Sequence, residues 1–474
     1  MLNSKTKLSF SILTTVILVG YFSLSLILLW PHFDAPLVND EIYYANTIFE
    51  EGIGAWKYHS FGHPPGWLIL NALNYKLRQV GPFFSRTFVF TLVWLSLLLL
   101  HRLLRDFYKD DIRPILVLST LFSYAYTATA LVTNHPVLVA SLLGCSGLIL
   151  ISSVNGELVS LKNKVAAFVL LAGAICIRES AIVFLIGALP LLWKRKNKYF
   201  ILFQLLLFIS YYWVYYQLNG EILLNDQMRI VRDEGKNILI FSFLKVGTFL
   251  RDVFFGQFSW TTLGLVFLAL IIFAKKRISN LIKFKTIAFL ISGLLHVSFF
   301  MFYRDNGMRN SMMSVLPLII WWGGVLQYER KPIYKLGIGL LIGINLYAFF
   351  SNIERVVDKR LVAAKEMKTE LGRVENFLKE NTLNEKLILT TNPYHHYLEN
   401  PGYGYVQNGL RTQWYGGVDT MKLDSKASIV LIPMNLENFA TEKLREFSQI
   451  NNMRRVDFGP KDKGFSLYFK DSLQ

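Results

Sequence analysis

Cysteine is nearly absent from this chain of 474 residues, and the two present, Cys145 and Cys176, both fall inside apolar runs. That argues against a disulfide framework and against a cysteine-based zinc site. Acidic residues are scarce too, 33 Asp and Glu against 50 Lys and Arg, which leaves a formal charge of +17. A glycine-rich phosphate loop, a Walker motif, an HExxH signature and internal repeats are all missing. Nothing therefore points to a nucleotide cradle, a zinc protease or a solenoid. What the chain has in excess is apolar sequence: 53% hydrophobic and 15% aromatic, far above a soluble enzyme of this length.

The Lys and Arg residues gather in short clusters between apolar runs, as in the cytoplasmic loops of a membrane protein, so the charge reports topology rather than nucleic acid. About 20 residues of helix cross about 30 Å of hydrocarbon. Runs of that kind are predicted near 8–30, 83–101, 114–132, 136–153, 164–177, 180–193, 199–217, 260–274, 286–303, 311–327 and 335–351. This makes a polytopic α-helical membrane protein of about eleven spans. Alternate loops carry the basic excess: Lys5 and Lys7, Arg102 to Arg113, Lys162 and Lys164, Lys194 to Lys198, Lys275 to Lys285, and Arg330 to Lys335. The positive-inside rule then puts the N-terminus in the cytoplasm and the C-terminus outside the inner (plasma) membrane. Met1 to Trp30 begins like a signal peptide, but its apolar core is of span length and no A-x-A-like site follows, so it is read as a retained anchor.

Arg178-Glu179-Ser180 interrupts the apolar run from Val165 to Trp193. A single tilted span there would put Lys162/Lys164 and Lys194 to Lys198 on opposite faces, against the charge rule. Two short passes are required, each about 14 residues or about 21 Å. Their turn stops below the outer surface, and a charge at such depth costs about 2.5 to 3.5 kcal/mol and faces a protein cavity. Arg178 is thus predicted in a pocket that opens outward.

After Phe350 the apolar runs shorten. A long amphipathic helix is predicted over 352–381, buried strands over 386–391 and 427–433, a helix over 438–450, and a hairpin from 455–458 with 465–469. The expected division is a membrane domain, 1–351, with an outer loop 31–82, and a small extracytoplasmic α/β domain, 352–474.

The loop after the first span carries the chemistry. Asp40 and Glu41 can deprotonate an incoming hydroxyl or amine, an effect of about 10² to 10⁴ in rate. Equally, they can be the N-terminal acids of a helix through 42–50. His63-Pro64-Pro65-Gly66 is a stiff turn back towards the membrane, with His63 placed to line a pocket. A metal held by Asp40, Glu41, His59 and His63 lacks any ligand spacing, so no metal is expected and a divalent ion is a minor alternative. Arg178, Arg304 and Arg309 suit an anionic lipid headgroup because guanidinium binds phosphate bidentately. An ion pair of Arg178 with Glu179 or Asp305, and interfacial snorkelling of Arg304 and Arg309, are the competing readings. Thr133-Asn134-His135-Pro136 is a tight turn that caps helix ends or, through His135, touches substrate. Tyr211 to Tyr216, with Trp321 and Trp322, read as an interface belt.

These motifs in this order resemble the C-type membrane glycosyltransferases (the GT-C superfamily), nearest the branch of protein-O-mannosyltransferases and lipid A aminoarabinose transferases. The resemblance covers about residues 8 to 350. It rests on Asp40-Glu41 followed by Tyr43, on His63-Pro64-Pro65-Gly66, on Arg178, and on Arg309 before Pro317. It departs at Asn134, where relatives often carry Asp, and at Asn310, where they have Tyr. The resemblance implies transfer of a sugar from a polyprenyl-phosphate donor to a lipid, glycan or protein acceptor at the extracytoplasmic face, with inversion. Asp40 would be the base and Glu41 its support, with Arg178, Glu179, Arg304, Arg309, His63 and His135 around the substrates. Neither cofactor nor nucleic acid is implied. Two other classes stay open: a flippase or transporter of lipid-linked sugars, which should show broken helices and paired repeats, and a membrane anchor that displays 352–474 for binding.

Overall fold

The computed structural model describes residues 4–38, 41–42, 45, 66–78, 81–152, 160–194, 198–219, 243–259, 261–264, 266, 284–302, 311–326, 332–391, 394–414, 428–434, 449, 452–461 and 463–470. The chain divides into two compact units. The first holds Met1–Trp30, Asn46–Leu77 and Arg86–Arg355; the second holds Pro31–Ala45, Arg78–Ser85 and Val356–Gln474.

The first unit is helical. Its elements are α1 (Ser4–Leu29), α2 (Gly66–Arg78), α3 (Pro82–Tyr108), α4 (Ile112–Ser123), α5 (Ala125–Val132), α6 (Pro136–Ser152), α7 (Leu161–Ile177), α8 (Ile182–Lys194), α9 (Lys198–Asn219), α10 (Phe243–Leu250), α11 (Phe284–Phe302), α12 (Met312–Val325) and α13 (Pro332–Val356). Three of them, α3, α6 and α13, open on a proline, whose fixed φ suits a first helical position and whose missing N–H is not needed there. Asp110 Oδ1 accepts the N–H groups of Ile112 and Arg113 at the start of α4, as a side-chain cap does. An aromatic knot of Tyr21, Trp94, Phe122 and Phe349 ties α1, α3, α4 and α13 together, with ring centroids 4.4 to 5.5 Å apart. The outer faces expose Leu95, Leu98, Val165, Ile209 and Leu336. Large aliphatic side chains in such numbers on the outside match hydrocarbon rather than water.

By length and composition, three described helices can cross a membrane: Thr14–His32, Pro82–Tyr108 and Leu336–Glu380. α4 and α5 together make a fourth candidate, and α6, α8, α11 and α12 contain shorter apolar helices. By that measure the expected eleven passes become three or four long ones among the described residues, plus these shorter helices. The run expected to cross at 114–132 is not straight. It bends by 79° between α4 and α5, at Tyr124, whose backbone is extended (φ −76°, ψ 120°).

At Arg178 the chain reverses, as the charge clusters demanded. On α6, Gly147 abuts Leu171 of α7 and Gly144 abuts Phe184 of α8, so the two arms flank the same stretch of one helix. The arms hold 17 and 13 residues, about 26 and about 20 Å.

The second unit carries a small sheet. The helix α13 passes without a break through a π-helical stretch, Val357–Val362, into α14 (Ala363–Glu380). The expected separate helix at 352–381 is thus the far half of a longer one, because no Gly or Pro stands between Gly343 and Gly372 to stop it. The strands are β1 (Ile388–Thr390), β2 (Thr412–Trp414), β3 (Ile429–Pro433), β4 (Arg454–Phe458) and β5 (Phe465–Phe469), with α15 (Tyr394–Glu399) between β1 and β2. They pair in the order β2-β1-β3-β5-β4. β1 runs parallel to both β2 and β3, and β5 antiparallel to both β3 and β4. β3 and β5 are buried throughout, and Phe377 of α14 packs on Phe458 and Phe469. The expected hairpin is there. The edge strand β2 was not expected: Thr-Gln-Trp is too short and polar to read as a strand without its partner. Of the helix expected at 438–450 and the span at 260–274, most residues lie outside the described ones.

Candidate functional site

Several turns singled out by sequence meet at one end of the helical unit. α2 begins at the residue that follows His63-Pro64-Pro65 in sequence, and this first residue, Gly66, lies against the Cys176 carbonyl of α7. A Cβ at Gly66 would stand 2.5 Å from that oxygen, so only hydrogen fits. The next residue, Trp67, donates its indole N–H to Asn134 Oδ1 at 2.8 Å. Asn134 in turn donates to Asn71 Oδ1, and Asn71 donates to the Trp67 carbonyl at 2.9 Å. Trp67, Asn71 and Asn134 are all buried. This closed chain of donors locks α2 to the turn before α6.

His135 sits in that turn. Its Nδ1 is 2.7 Å from the Tyr126 hydroxyl and 3.4 Å from the Val137 amide, which is the helix-capping role rather than an exposed contact. The helix start at Pro136 is fixed on the other side by Ser141, whose hydroxyl donates to the Met312 carbonyl at 2.9 Å. Ser311 contacts the Tyr124 hydroxyl. The start of α12 therefore joins the same end.

Arg178 occupies the reversal between α7 and α8. Its backbone is extended (φ −150°, ψ 121°), and its side chain is buried, with 8% of the residue exposed. The Nε is 3.7 Å from Glu179 Oε1, an ion pair of loose geometry. His296 of α11 lies within electrostatic range of Arg178, and its Nδ1 is 2.6 Å from Ser314 Oγ on α12. Arg178 thus lies at the α7–α8 reversal beside Glu179 and within electrostatic range of His296, whose ring is paired with Ser314 of α12. A guanidinium has the planar fork of donors that an anion can accept. His296 and Ser314 were not among the residues expected from sequence. The available signal was a lone histidine inside an apolar run, which in a membrane helix is itself a pointer to function.

Glu41 belongs to the second unit and is buried. Its Oε2 accepts the Val38 N–H at 2.9 Å while its own N–H donates to the Val38 carbonyl at 3.1 Å. This reciprocal pair is the glutamate half of a capping box, so the second acid of the pair supports the turn. Asp40, His63, Arg304 and Arg309 lie outside the described residues. Among the described residues no cluster of three or more His, Cys, Asp or Glu side chains could hold a metal ion.

No protein-family model and no curated protein sequence matches the chain. Solved structures do match. ArnT (lipid A aminoarabinose transferase) from Cupriavidus metallidurans in the apo state superposes with a TM-score of 0.65 at 12% identity, over 98% of this chain and 98% of that one. ArnT bound to undecaprenyl phosphate gives 0.61 at 11% identity, over 98% and 99%. The chain has the GT-C fold. The oligosaccharyltransferase of Archaeoglobus fulgidus, solved in complex with zinc and sulfate, carries the GT-C fold as well and matches at 0.54 and 11% identity, over 89% of this chain and 68% of that one. At such identities the likeness is one of fold. It extends through the small sheet of the second unit, and it is the fold of multi-pass membrane glycosyltransferases.

Proposed function

We propose that this protein is a membrane glycosyltransferase that moves a sugar from a polyprenyl-phosphate donor to an acceptor at the extracytoplasmic face of the plasma membrane, with inversion. The single observation that carries the proposal is Arg178, a buried guanidinium at the turn of two short helices in a GT-C fold. A relative of that fold has been solved with undecaprenyl phosphate bound. In the reaction an acceptor oxygen or nitrogen attacks the anomeric carbon from the face opposite the phosphate. The bond from that carbon to the phosphate oxygen breaks, and its electron pair stays on the lipid phosphate. Asp40 takes the acceptor proton, a contribution of about 10² to 10⁴. Arg178 meets the charge that grows on the leaving phosphate, with Arg304 and Arg309 at the same group. Glu41 supports the Asp40 turn, while Glu179 and His63 border the substrates. No nucleotide sugar enters this scheme.

The test is binding of labelled undecaprenyl phosphate to the full chain in lipid nanodiscs. Arg178→Gln should weaken binding by about tenfold or more, the scale of one charge-assisted contact, and Arg178→Lys by less. Equal binding by wild type and Arg178→Gln would remove the phosphate role. Asp40→Asn should abolish transfer and leave lipid binding in place. Mass spectrometry of envelope glycans and lipids, with and without the protein, identifies sugar and acceptor.

One observation favours a second reading, a flippase for lipid-linked sugars: the 79° bend between α4 and α5 is the kind of interrupted span that transporters use. Movement of labelled carrier lipid across a vesicle membrane in the absence of any acceptor would support that reading over transfer.

A further inference from the structure

The second unit joins two parts of the chain that are far apart in sequence, the root of the acidic loop and a short segment of the C-terminal region. The Leu37 N–H donates to the Tyr403 carbonyl at 2.9 Å. The Tyr405 hydroxyl donates to the Leu37 carbonyl at 3.0 Å, so both backbone groups of Leu37 are held by residues two apart in the other segment. Between them stands Gly404, with φ +85°, where a Cβ would come within 3.0 Å of Pro82 and 3.4 Å of Pro36. A left-handed backbone and a close approach both call for glycine at that position. Leu37, Glu41, Ile42, Tyr403 and Tyr405 are all buried, so water does not compete for these bonds.

The C-terminal segment is itself held. Glu375 of α14, buried to 6% exposure, accepts the N–H groups of Gln407 at 2.8 Å and Asn408 at 2.7 Å and the Asn408 side-chain amide at 3.1 Å. Asn400 accepts the Gly402 N–H at 2.9 Å. The Tyr405 ring stacks on Tyr397 with centroids 4.2 Å apart and planes at 18°. A second tie runs from Lys365 to Asp34 and to the Pro31 carbonyl, each at 2.9 Å. A path of hydrogen bonds thus runs from Glu375, through 403–408, to Leu37, and from there along the backbone to the Val38–Glu41 cap that flanks Asp40.

We infer that the segment 400–408 is a positioning element for the Asp40-Glu41 loop, with Tyr405 and Glu375 as positioning residues that act through Leu37 rather than on substrate. The catalytic consequence rests on the glycosyltransfer reading above; the anchoring itself does not. The C-terminal region is then a part of the machinery that aims the base, since a displacement of about 1 Å at a reacting group costs about 10²-fold in rate.

The experiment uses the full chain in nanodiscs, with Tyr405→Phe, which removes one hydrogen bond and keeps the ring stack, and Glu375→Gln, which keeps the shape and weakens the acceptor. Hydrogen exchange is read at the amides of 36–42, at α14 and at β3. Exchange over 36–42 should rise about fivefold in Tyr405→Phe, the effect of one buried bond, with α14 and β3 unchanged. In the transfer assay kcat should fall while KM for the donor and undecaprenyl phosphate binding hold. Unchanged exchange over 36–42, or an equal rise throughout the unit, overturns the anchoring. Local exchange gain with unaltered kcat in a wild type that does transfer overturns the positioning role. Local exchange gain together with a wild type that transfers nothing upholds the anchoring and overturns instead the transfer reading, and with it the aiming of a base.

Discussion

Exchange of Asn134 for Asp tests the polar lock between α2 and the turn before α6. The Trp67 indole can only donate, so the Asn134 oxygen must face it, the Asn134 amide must donate to Asn71, and Asn71 must donate to the Trp67 carbonyl. The first donor fixes every later direction. In Asn134→Asp one carboxylate oxygen keeps the indole, but the other meets Asn71 Oδ1 with no proton between them. Rotating the Asn71 amide only moves the conflict to the Trp67 carbonyl. With all three residues buried, the cost is that of one unsatisfied buried contact, about 1 to 3 kcal/mol, increased by the desolvation of the new charge. A proton on the new carboxyl restores the missing donor. The folded state therefore holds that proton more tightly than the unfolded chain, whose carboxyl titrates near about 3.9. The deficit is complete at high pH and shrinks as pH falls. Thermal unfolding of the full chain in detergent at about pH 8 and about pH 5 checks this, with Asn134→Ala as the reference whose deficit does not titrate. A gap between wild type and Asn134→Asp that stays constant, or widens at the lower pH, refutes the reasoning.

Glu41 separates a capping role from a catalytic one: Glu41→Gln keeps an acceptor for the Val38 N–H and should melt within about 0.5 kcal/mol of wild type, whereas Glu41→Ala should lose about 0.5 to 2 kcal/mol. Transfer activity measured on the same two variants shows whether the charge matters beyond the cap. In the second unit, burial and then the neighbouring charge of His396 push the His395 imidazole down to about 4. The unfolded chain binds that proton first, so stability is fully present above about pH 6.5 and declines as pH falls towards 4; His395→Gln should flatten that part of a pH-melt profile, and an identical slope in both chains would exclude His395 as its source. Tyr124→Phe removes the hydroxyl that contacts Ser311 and should cost about 0.5 to 1.5 kcal/mol by chemical denaturation; an unchanged midpoint would mean the contact contributes nothing.

What could be read in advance was what local chemistry decides. The apolar runs near 83–101, 136–153 and 335–351 fall on α3, α6 and α13, and the strict alternation of basic loops required the reversal at Arg178. The β4–β5 hairpin followed from two apolar runs either side of a Gly-Pro turn. The features that escaped depend on partners remote in sequence. The bend at Tyr124 involves Asn352, 229 residues from Ser123. The role of Tyr405 depends on Leu37, 368 residues away. Asn134 read as a lost acid, because its true partners, Trp67 and Asn71, lie 67 and 63 residues earlier in the chain. His296 escaped as one polar residue in an apolar run, because its partner, Ser314, belongs to another helix. The acid pair divided: Glu41 proved to be a cap, which its spacing from Val38 allows, while Asp40 retains its role as a proposal.

The bend at Tyr124 has a mechanical consequence. Leu121 offers its carbonyl to the Tyr124 amide and the Thr127 hydroxyl, and the Ser123 carbonyl receives the Asn352 side chain. To straighten this segment would sever those bonds, of which the Thr127 one is buried and the Asn352 one half-buried, at a cost of about 0.5 to 1.5 kcal/mol each. It is a welded elbow rather than a joint. α5 is consequently a fixed arm, and the Asn134 turn at its tip keeps one height and one heading whatever passes beneath it.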